Sequence, residues 1–449
     1  MRMELLDKYD GRVPRYTSYP TAPHFHDGVT EGDYRGWLAA LDPGADLSLY
    51  LHVPFCKQLC WYCGCNTKVV NRPDPVADYV TFLAREIHMV ADAIGRRARV
   101  SHIHWGGGTP NALAPDDLMR LFAALRDRYD VSEEAEIAVE IDPRVLTEEW
   151  VTAAAACGVT RASLGVQDLD SGVQEAIHRV QPYEQTERAV AWLRAAEIDG
   201  INLDLMYGLP RQTVDSVLRT VDRVVALRPD RIALFGYAHV PWMKPHQKLM
   251  PEKDLPGTRE RYEQQEAASS RLAELGYVQI GLDHFARPED PMAVAVASGS
   301  MRRNFQGYTT DDAPVLVGLG SSSIGRLPQG YIQNRSTVPD WRAAIGAGEL
   351  PVARGIRLEP DDVLRGAVIE RLMCDFAIDL AAVAMAHGCS PTTFDDEAAM
   401  LKRFEEDGLI HMDGRRIHVT EAGRPFVRSI CATFDRYLRA GEARHARAI

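Results

Sequence analysis

From residue 48 to about residue 286 the chain repeats one unit: a short apolar run, a loop containing Gly or Pro, then an amphipathic helical pattern. The strand candidates are SLYLHVP, VSHIHWGGG, EIAVEIDP, RASLGVQ, INLDLMYGLP, RIALFGYAHVP and VQIGLDHFA. Their β-branched residues and flanking Gly and Pro favour strands. Between them, Val80, Leu83 and Ile87 recur at helical spacing in segment 76–94, and Val217, Val221, Val224 and Val225 do so in segment 214–227. Strands alternating with helices form a parallel sheet, so the expected class is α/β, a full or partial (β/α) barrel. Such a barrel builds its active site at the C-terminal ends of its strands.

Two regions fall outside the repeat. The first 35 residues carry Pro14-Arg15-Tyr16-Thr17-Ser18-Tyr19-Pro20, too rich in Pro for a helix interior. After residue 286 the alternation stops, and from about residue 358 the chain reads as a small helical domain. Segment 401–407 ends at Gly408, and two short apolar runs then flank Asp413-Gly414, a hairpin signal. Helix followed by hairpin gives a winged-helix-like pattern. The expected organisation is an N-terminal segment (1–35) that closes the active site, a barrel (36–305) and a mostly helical C-terminal domain (306–449).

Four cysteines lie within ten residues after the first strand: Cys56, Cys60, Cys63 and Cys65. The first three are spaced C-x3-C-x2-C. Zinc sites usually pair two knuckles a dozen or more residues apart. A disulfide staple is out of place in a long chain without a secretory signal. Ferredoxin clusters use other spacings. Three thiolates can hold three irons of a [4Fe–4S] cluster and leave the fourth open to a small molecule. This spacing resembles the signature of the radical S-adenosylmethionine (SAM) enzymes. Cys157, Cys374, Cys389 and Cys431 stand singly and are expected to be buried structural thiols.

Further chemistry falls at the strand ends. Gly106-Gly107-Gly108-Thr109-Pro110 closes the second strand, where unshielded backbone can approach a ligand or simply make a tight turn. Glu140, Gln167 and Asp204 follow at later strand ends, with Arg179 just beyond. Glu140 and Asp204 could accept from ribose hydroxyls, and Arg179 and Gln167 could bind a carboxylate. The aliphatic strand end near Ala238 could cover an adenine. Tyr50 precedes the cysteine loop and on spacing alone reads as core.

The formal net charge of −12 argues against a broad nucleic-acid footprint. No run of eighteen apolar residues appears, and the N-terminal stretch lacks an apolar signal core, so the expected location is the cytoplasm.

The motifs YLHVPFCKQLCWYCGCN, HWGGGTP, EIDPR, LGVQD, DLMYGLP, YAHVP, DHFARP, RNFQGYTT and PRYTSYP together resemble the oxygen-independent coproporphyrinogen III oxidase (coproporphyrinogen dehydrogenase) family, from about residue 11 to about residue 440. The resemblance implies a partial (β/α) TIM-type radical SAM barrel and a [4Fe–4S] cluster on Cys56, Cys60 and Cys63. It further implies two SAM molecules per chain. The cluster-bound one would contact Tyr50, Gly107, Glu140 and Ile324. The second would contact Tyr62, Gly108, Thr109, Gln167, Arg179, Asp204 and Ala238. The implied reaction is anaerobic oxidative decarboxylation of the ring A and B propionates of coproporphyrinogen III to vinyls, through a 5′-deoxyadenosyl radical. Implied partners are that substrate and an external electron donor and acceptor, for a monomer without nucleic acid or membrane. Arg15, Arg302 and Arg303 are candidates for the substrate carboxylates, or for surface and interdomain ion pairs. Position 62 is Tyr where some relatives have Phe, and Met301 stands where some carry His. Cys65 matches an extra family cysteine of no derived role. Two rivals stand beside this reading. A heme chaperone of the same superfamily would lack CGCN, PRYTSYP and RNFQGYTT, all present here. A DNA-binding redox sensor would have to overcome the acidic charge.

Overall fold

The computed structural model describes residues 3–9, 11 and 13–438. Its frame is one twelve-stranded sheet. In chain order the strands are β1 (Leu47–Val53), β2 (Arg99–Gly107), β3 (Asp130–Ile141), β4 (Arg161–Gln167), β5 (Gly200–Tyr207), β6 (Arg231–Gly236), β7 (Val278–Ile280), β8 (His284–Ala286), β9 (Val315–Leu319), β10 (Ile324–Leu327), β11 (Gly330–Asn334) and β12 (Val352–Arg357). Their spatial order is β12-β11-β10-β9-β1-β2-β3-β4-β5-β6-β8-β7. The stretch from β9 through β6 is parallel throughout. The remaining strands add antiparallel at both edges.

The helices explain the parallel part. Asp74–Ile94, Pro115–Arg128, Glu148–Ala156, Tyr183–Ala195 and Val214–Ala226 return the chain between parallel strands. In the last of these, Thr213 and Ser216 form a reciprocal capping box, and Val217, Val221 and Val224 are buried. Asp74–Ile94 ends where Gly95 takes a left-handed φ of 73°. With helices covering it, β1 buries Leu47, Leu49, Leu51 and Val53 completely on one face, while Ser48, Tyr50 and His52 alternate onto the other. The result is an open, partial (β/α) TIM-type barrel.

Three expectations change. VQIGLDHFA is two short antiparallel strands, β7 and β8, because Gly281 turns the chain at φ 56° with the Tyr308 ring packed against it. Residues 315–357 belong to the main sheet and not to a mostly helical C-terminal domain. Strands β9, β10 and β11 follow one another through short hairpins, and a helix, Val338–Ala347, intervenes only before β12, so the regular strand–helix alternation is lost although the sheet continues. Cys389 is exposed, in the turn after Gly388, whereas Cys157, Cys374 and Cys431 are buried.

The C-terminal unit starts with helix Pro360–Asp375. It adds a three-stranded antiparallel sheet of Ala377–Asp379, Arg416–Val419 and Ile410–Asp413. Asp413-Gly414 sits in the hairpin turn, and Gly414 has φ 59°. This is the winged-helix-like arrangement. Its core takes in the N-terminal helix Met3–Tyr9: Leu5, Leu6 and Tyr9 are buried with Leu372, Phe404 and Phe426. The two chain ends are therefore one packing unit. Helix Glu31–Ala39, by contrast, packs Tyr34, Trp37 and Leu38 into the barrel core.

Candidate active site

The cysteine loop leaves β1 and is held from three sides. Phe55–Cys56 pairs in parallel with Lys68–Val69, which closes the loop at its base. Trp61 N donates to Ile177 O at 3.0 Å. From segment 244–247, Lys244 Nζ donates to Cys65 O (2.9 Å), His246 Nε2 bonds Cys63 O (2.7 Å) and Gln247 Nε2 donates to Tyr62 O (3.0 Å).

Within this loop the Cys56 thiol senses the charges of Cys63 and Cys60. Burial pushes the Cys56 thiol up to about 12, and a hydrogen bond from Cys65 draws Cys63 down to about 6. Cys60 Sγ accepts from Arg144 Nη2 at 3.4 Å and from Arg179 Nη1 at 3.5 Å. An all-thiol donor set with guanidinium neighbours fits an iron–sulfur cluster, whose bonded sulfurs carry negative charge. Among the described residues no three ligands converge on a single ion. A four-iron cluster takes one thiolate per iron and needs its thiols spread around it.

Around this loop the parallel strands deliver polar groups to one rim. Tyr50, on β1, bonds His52 Nδ1 through its hydroxyl (3.0 Å) and stacks on His104. Glu140, on β3, accepts from Gly107 N at 3.2 Å and meets His104 Nε2 at 3.3 Å. Asp204, on β5, accepts from Ser163 Oγ (3.0 Å) and Asn202 Nδ2 (2.8 Å). Burial, with the Glu140 charge beside it, pushes the Asp204 carboxyl up to about 6, and the Ser163 hydrogen bond offsets only part of this. Gln167 ends β4 in the left-handed region, φ 68°, and its amide and the Arg179 guanidinium meet over Gly165. Ile324 lies across Gly318, the residue that pairs with Tyr50.

Arg179 is the most constrained of these groups. Only 5% exposed, it donates to Gly165 O at 2.5 Å and pairs with Asp142 at 3.4 Å. Burial works against its charge, yet Tyr62 and Asp142 hold it firmly protonated. Its Nε is buried without a partner. An unpaired buried donor costs on the order of 1–3 kcal/mol until an acceptor arrives. Together with the ionisable rim, that donor fits the carboxylate of an amino-acid ligand such as SAM.

The glycine run has internal causes. A Cβ on Gly106 would meet Glu140 Oε1 at 2.9 Å, one on Gly107 would meet His52 at 2.6 Å, and one on Gly108 would meet Phe55 O at 2.5 Å. Thr109 is likewise occupied: its hydroxyl donates to Asn111 and accepts from Asp142 N at 3.0 Å, which ties β2 to β3.

Arg15 and Arg303 line a cavity of about 340 Å³ beyond β6, together with Ala238, Arg261, Asp283 and Arg428. Arg303 is held by the carbonyls of Tyr16 (3.2 Å) and Arg15 (3.3 Å), with Nη1 buried and unpartnered. Arg302 does not join them: it is paired with Glu370 at 3.6 Å beside a second cavity. Sequence reasoning missed Arg428, whose donors hold Pro14 O and Val13 O. Burial and the charges of Arg15 and Arg303 draw it down to about 10. It also missed His52, His104 and Gln247. The EIDPR motif held Asp142 and Arg144 without revealing that Arg144 and Arg179 share that carboxylate.

Comparison with known proteins places the chain in a family. Residues 50–224 match the model of the radical SAM superfamily, and residues 358–426 match that of the HemN C-terminal domain. The chain is 51% identical over 450 residues to the oxygen-independent coproporphyrinogen III oxidase of Bradyrhizobium diazoefficiens, covering 100% of both. It is 41% identical over 439 residues to that of Pseudomonas aeruginosa, covering 97% of this chain and 95% of the relative. The solved structure of the Escherichia coli coproporphyrinogen III oxidase HemN, a radical SAM enzyme, aligns with a TM-score of 0.91 at 36% identity, over 95% of this chain and 100% of that one. Similar to these relatives over nearly its whole length, the chain belongs to the oxygen-independent coproporphyrinogen III oxidase family of the radical SAM superfamily.

Proposed function

We propose that this protein converts coproporphyrinogen III to protoporphyrinogen IX without oxygen, by oxidative decarboxylation of the ring A and B propionates. The observation that carries the proposal is the arginine-lined cavity beside the polar rim. Arg15, Arg261, Arg303 and Arg428 converge on about 340 Å³ with Asp283 as the acid among them. Mutually repelling guanidiniums in one cavity are stabilised by an anionic ligand, and the substrate is a tetracarboxylate. Arg15 and Arg303 are assigned to its carboxylates, and Arg302, committed to Glu370, has the weaker claim.

When bound, the cluster on Cys56, Cys60 and Cys63 and its SAM supply a carbon-centred radical that removes a hydrogen from the substrate propionate. The chain's own residues bind, orient and exclude water. Tyr50, Gly107, Glu140 and Ile324 would hold the first SAM. Tyr62, Gly108, Thr109, Gln167, Arg179, Asp204 and Ala238 would hold a second, with Arg179 Nε available to its carboxylate and Asp204 to its ribose. Gly108 and Thr109 act by fixing backbone, since the Gly108 Cα faces Phe55 and the Thr109 hydroxyl is occupied. The N-terminal segment, fastened to Arg428 and Arg303 by its own carbonyls, closes the mouth. An external low-potential donor and an electron acceptor complete the turnover. The protein is a monomer of the cytoplasm; no helix among the described residues is long and apolar enough to cross a membrane.

The testing experiment is an anaerobic reaction of the cluster-loaded protein with SAM, a chemical reductant and coproporphyrinogen III. Release of two CO2 per tetrapyrrole, with 5′-deoxyadenosine formed, is expected. Deoxyadenosine without CO2 would keep the radical chemistry and overturn the substrate.

A further inference from the structure

The surface over the cysteine loop has a composition unlike the rest of the chain. Residues 54–73 and 231–251 contain no Asp or Glu, although the chain holds 63 acidic residues among 449. Four of its seven lysines lie there: Lys57, Lys68, Lys244 and Lys248. The hydrogen bonds from Lys244, His246 and Gln247 to the carbonyls of Cys65, Cys63 and Tyr62 join the two segments into one face. Among the described residues the only lysine in an ion pair is Lys8, with Asp407. The same face exposes large apolar side chains: Met243 at 62%, Leu249 at 58% and Val69 at 40%. A protein of net charge −12 thus concentrates unpaired cations and apolar surface over the loop that bears its cluster ligands.

We propose that this face docks an acidic one-electron carrier protein. The inference rests on the radical SAM reading above, which requires one electron to be delivered to the cluster. The carrier's reduced cofactor loses one electron and the cluster gains it, with no atom transferred. Lysines around an apolar centre suit a small, transient interface: the charges steer encounter and orient the partner, and the apolar side chains are desolvated on contact. A second copy of this chain is a poor occupant, since a two-fold contact would set the lysines against themselves.

The test uses the cluster-loaded protein and, as probe, a purified acidic electron-transfer protein carrying flavin mononucleotide. Binding is measured by calorimetry, and turnover is measured with the reduced probe and, separately, with dithionite. The variants are Lys68→Glu with Lys248→Glu, and Met243→Ser. The parent should bind the probe and lose about tenfold in affinity from low to high salt. The double variant should bind about tenfold more weakly with a flattened salt dependence, and Met243→Ser a few-fold more weakly. Dithionite-driven turnover should stay at the parent level in all of them. Unchanged probe binding and probe-driven turnover in the double variant would overturn the proposal. So would a face that instead binds anionic lipid vesicles or drives self-association. If dithionite-driven turnover is absent in the parent, the enzymatic reading fails, and the binding arm still decides the docking.

Discussion

Asp204 and Arg179 place opposite charges in the same buried rim, and each makes a prediction. With its carboxyl pushed up to about 6, Asp204 is ionised at pH 7.5 and mostly protonated at pH 5. SAM affinity should therefore fall by roughly tenfold over that interval if the ionised form accepts the ribose hydroxyls. Asp204→Asn should bind weakly and show no such pH dependence, as calorimetry at the two pH values would show. Linkage gives the sign for stability. The folded value lies above the unfolded one near 3.8, so the contribution is fully present below 3.8 and is lost as pH rises through 6. Asp204→Asn should consequently be at least as stable as the parent at pH 7.5, by melting. For Arg179→Ala, removal of a buried guanidinium should cost about 2–3 kcal/mol while Arg144 keeps Asp142 paired. The iron content should persist and one SAM per chain be lost. Cys56→Ala, Cys60→Ala and Cys63→Ala should each lose the iron and the broad charge-transfer absorbance. Cys65→Ala should keep both, because its thiol only donates to Cys63.

At the scale of elements, the end of β2 is fixed by what a side chain there would strike. Gly108→Ala should cost at least about 2 kcal/mol, since its Cβ would lie 2.5 Å from the Phe55 carbonyl, a backbone atom that cannot swing away. Lower melting temperature together with reduced iron retention is the expected readout, because Phe55 opens the cysteine loop. This also shows what the sequence can and cannot reveal. Six strands from SLYLHVP to RIALFGYAHVP were legible because each is a short run with apolar residues at strand spacing, bounded by Gly or Pro and followed by a helical period. Strands β9 to β12 were not, since β9, β10 and β11 follow one another through short hairpins and a helix, Val338–Ala347, intervenes only before β12, which breaks the strand–helix alternation. GGGTP was legible as a special segment, but its neighbours Glu140, His52 and Phe55 come from other strands, so the reason for each glycine is a tertiary fact. The arginine cavity was half legible: Arg15 and Arg303 stand in distinctive motifs. Arg428 lies in an ordinary helical stretch, and only the joint packing of the two chain ends brings it to the mouth.

At the scale of the whole molecule, the barrel holds the reacting groups while the two chain ends, packed as one unit, bring Arg15 and Arg428 over them. Leu5, Leu6 and Tyr9 bury against Phe404 and Phe426, so substrate binding and closure share one packing core. The central claim is that this assembly takes two carboxyl groups from one tetrapyrrole. The most direct measurement is mass spectrometry of the tetrapyrrole after anaerobic reaction of coproporphyrinogen III with the cluster-loaded protein, SAM and dithionite. A product lighter by two CO2 and four hydrogens, preceded by an intermediate lighter by half as much, is the predicted result. A tetrapyrrole that keeps all four carboxyls while SAM is cleaved would contradict the account.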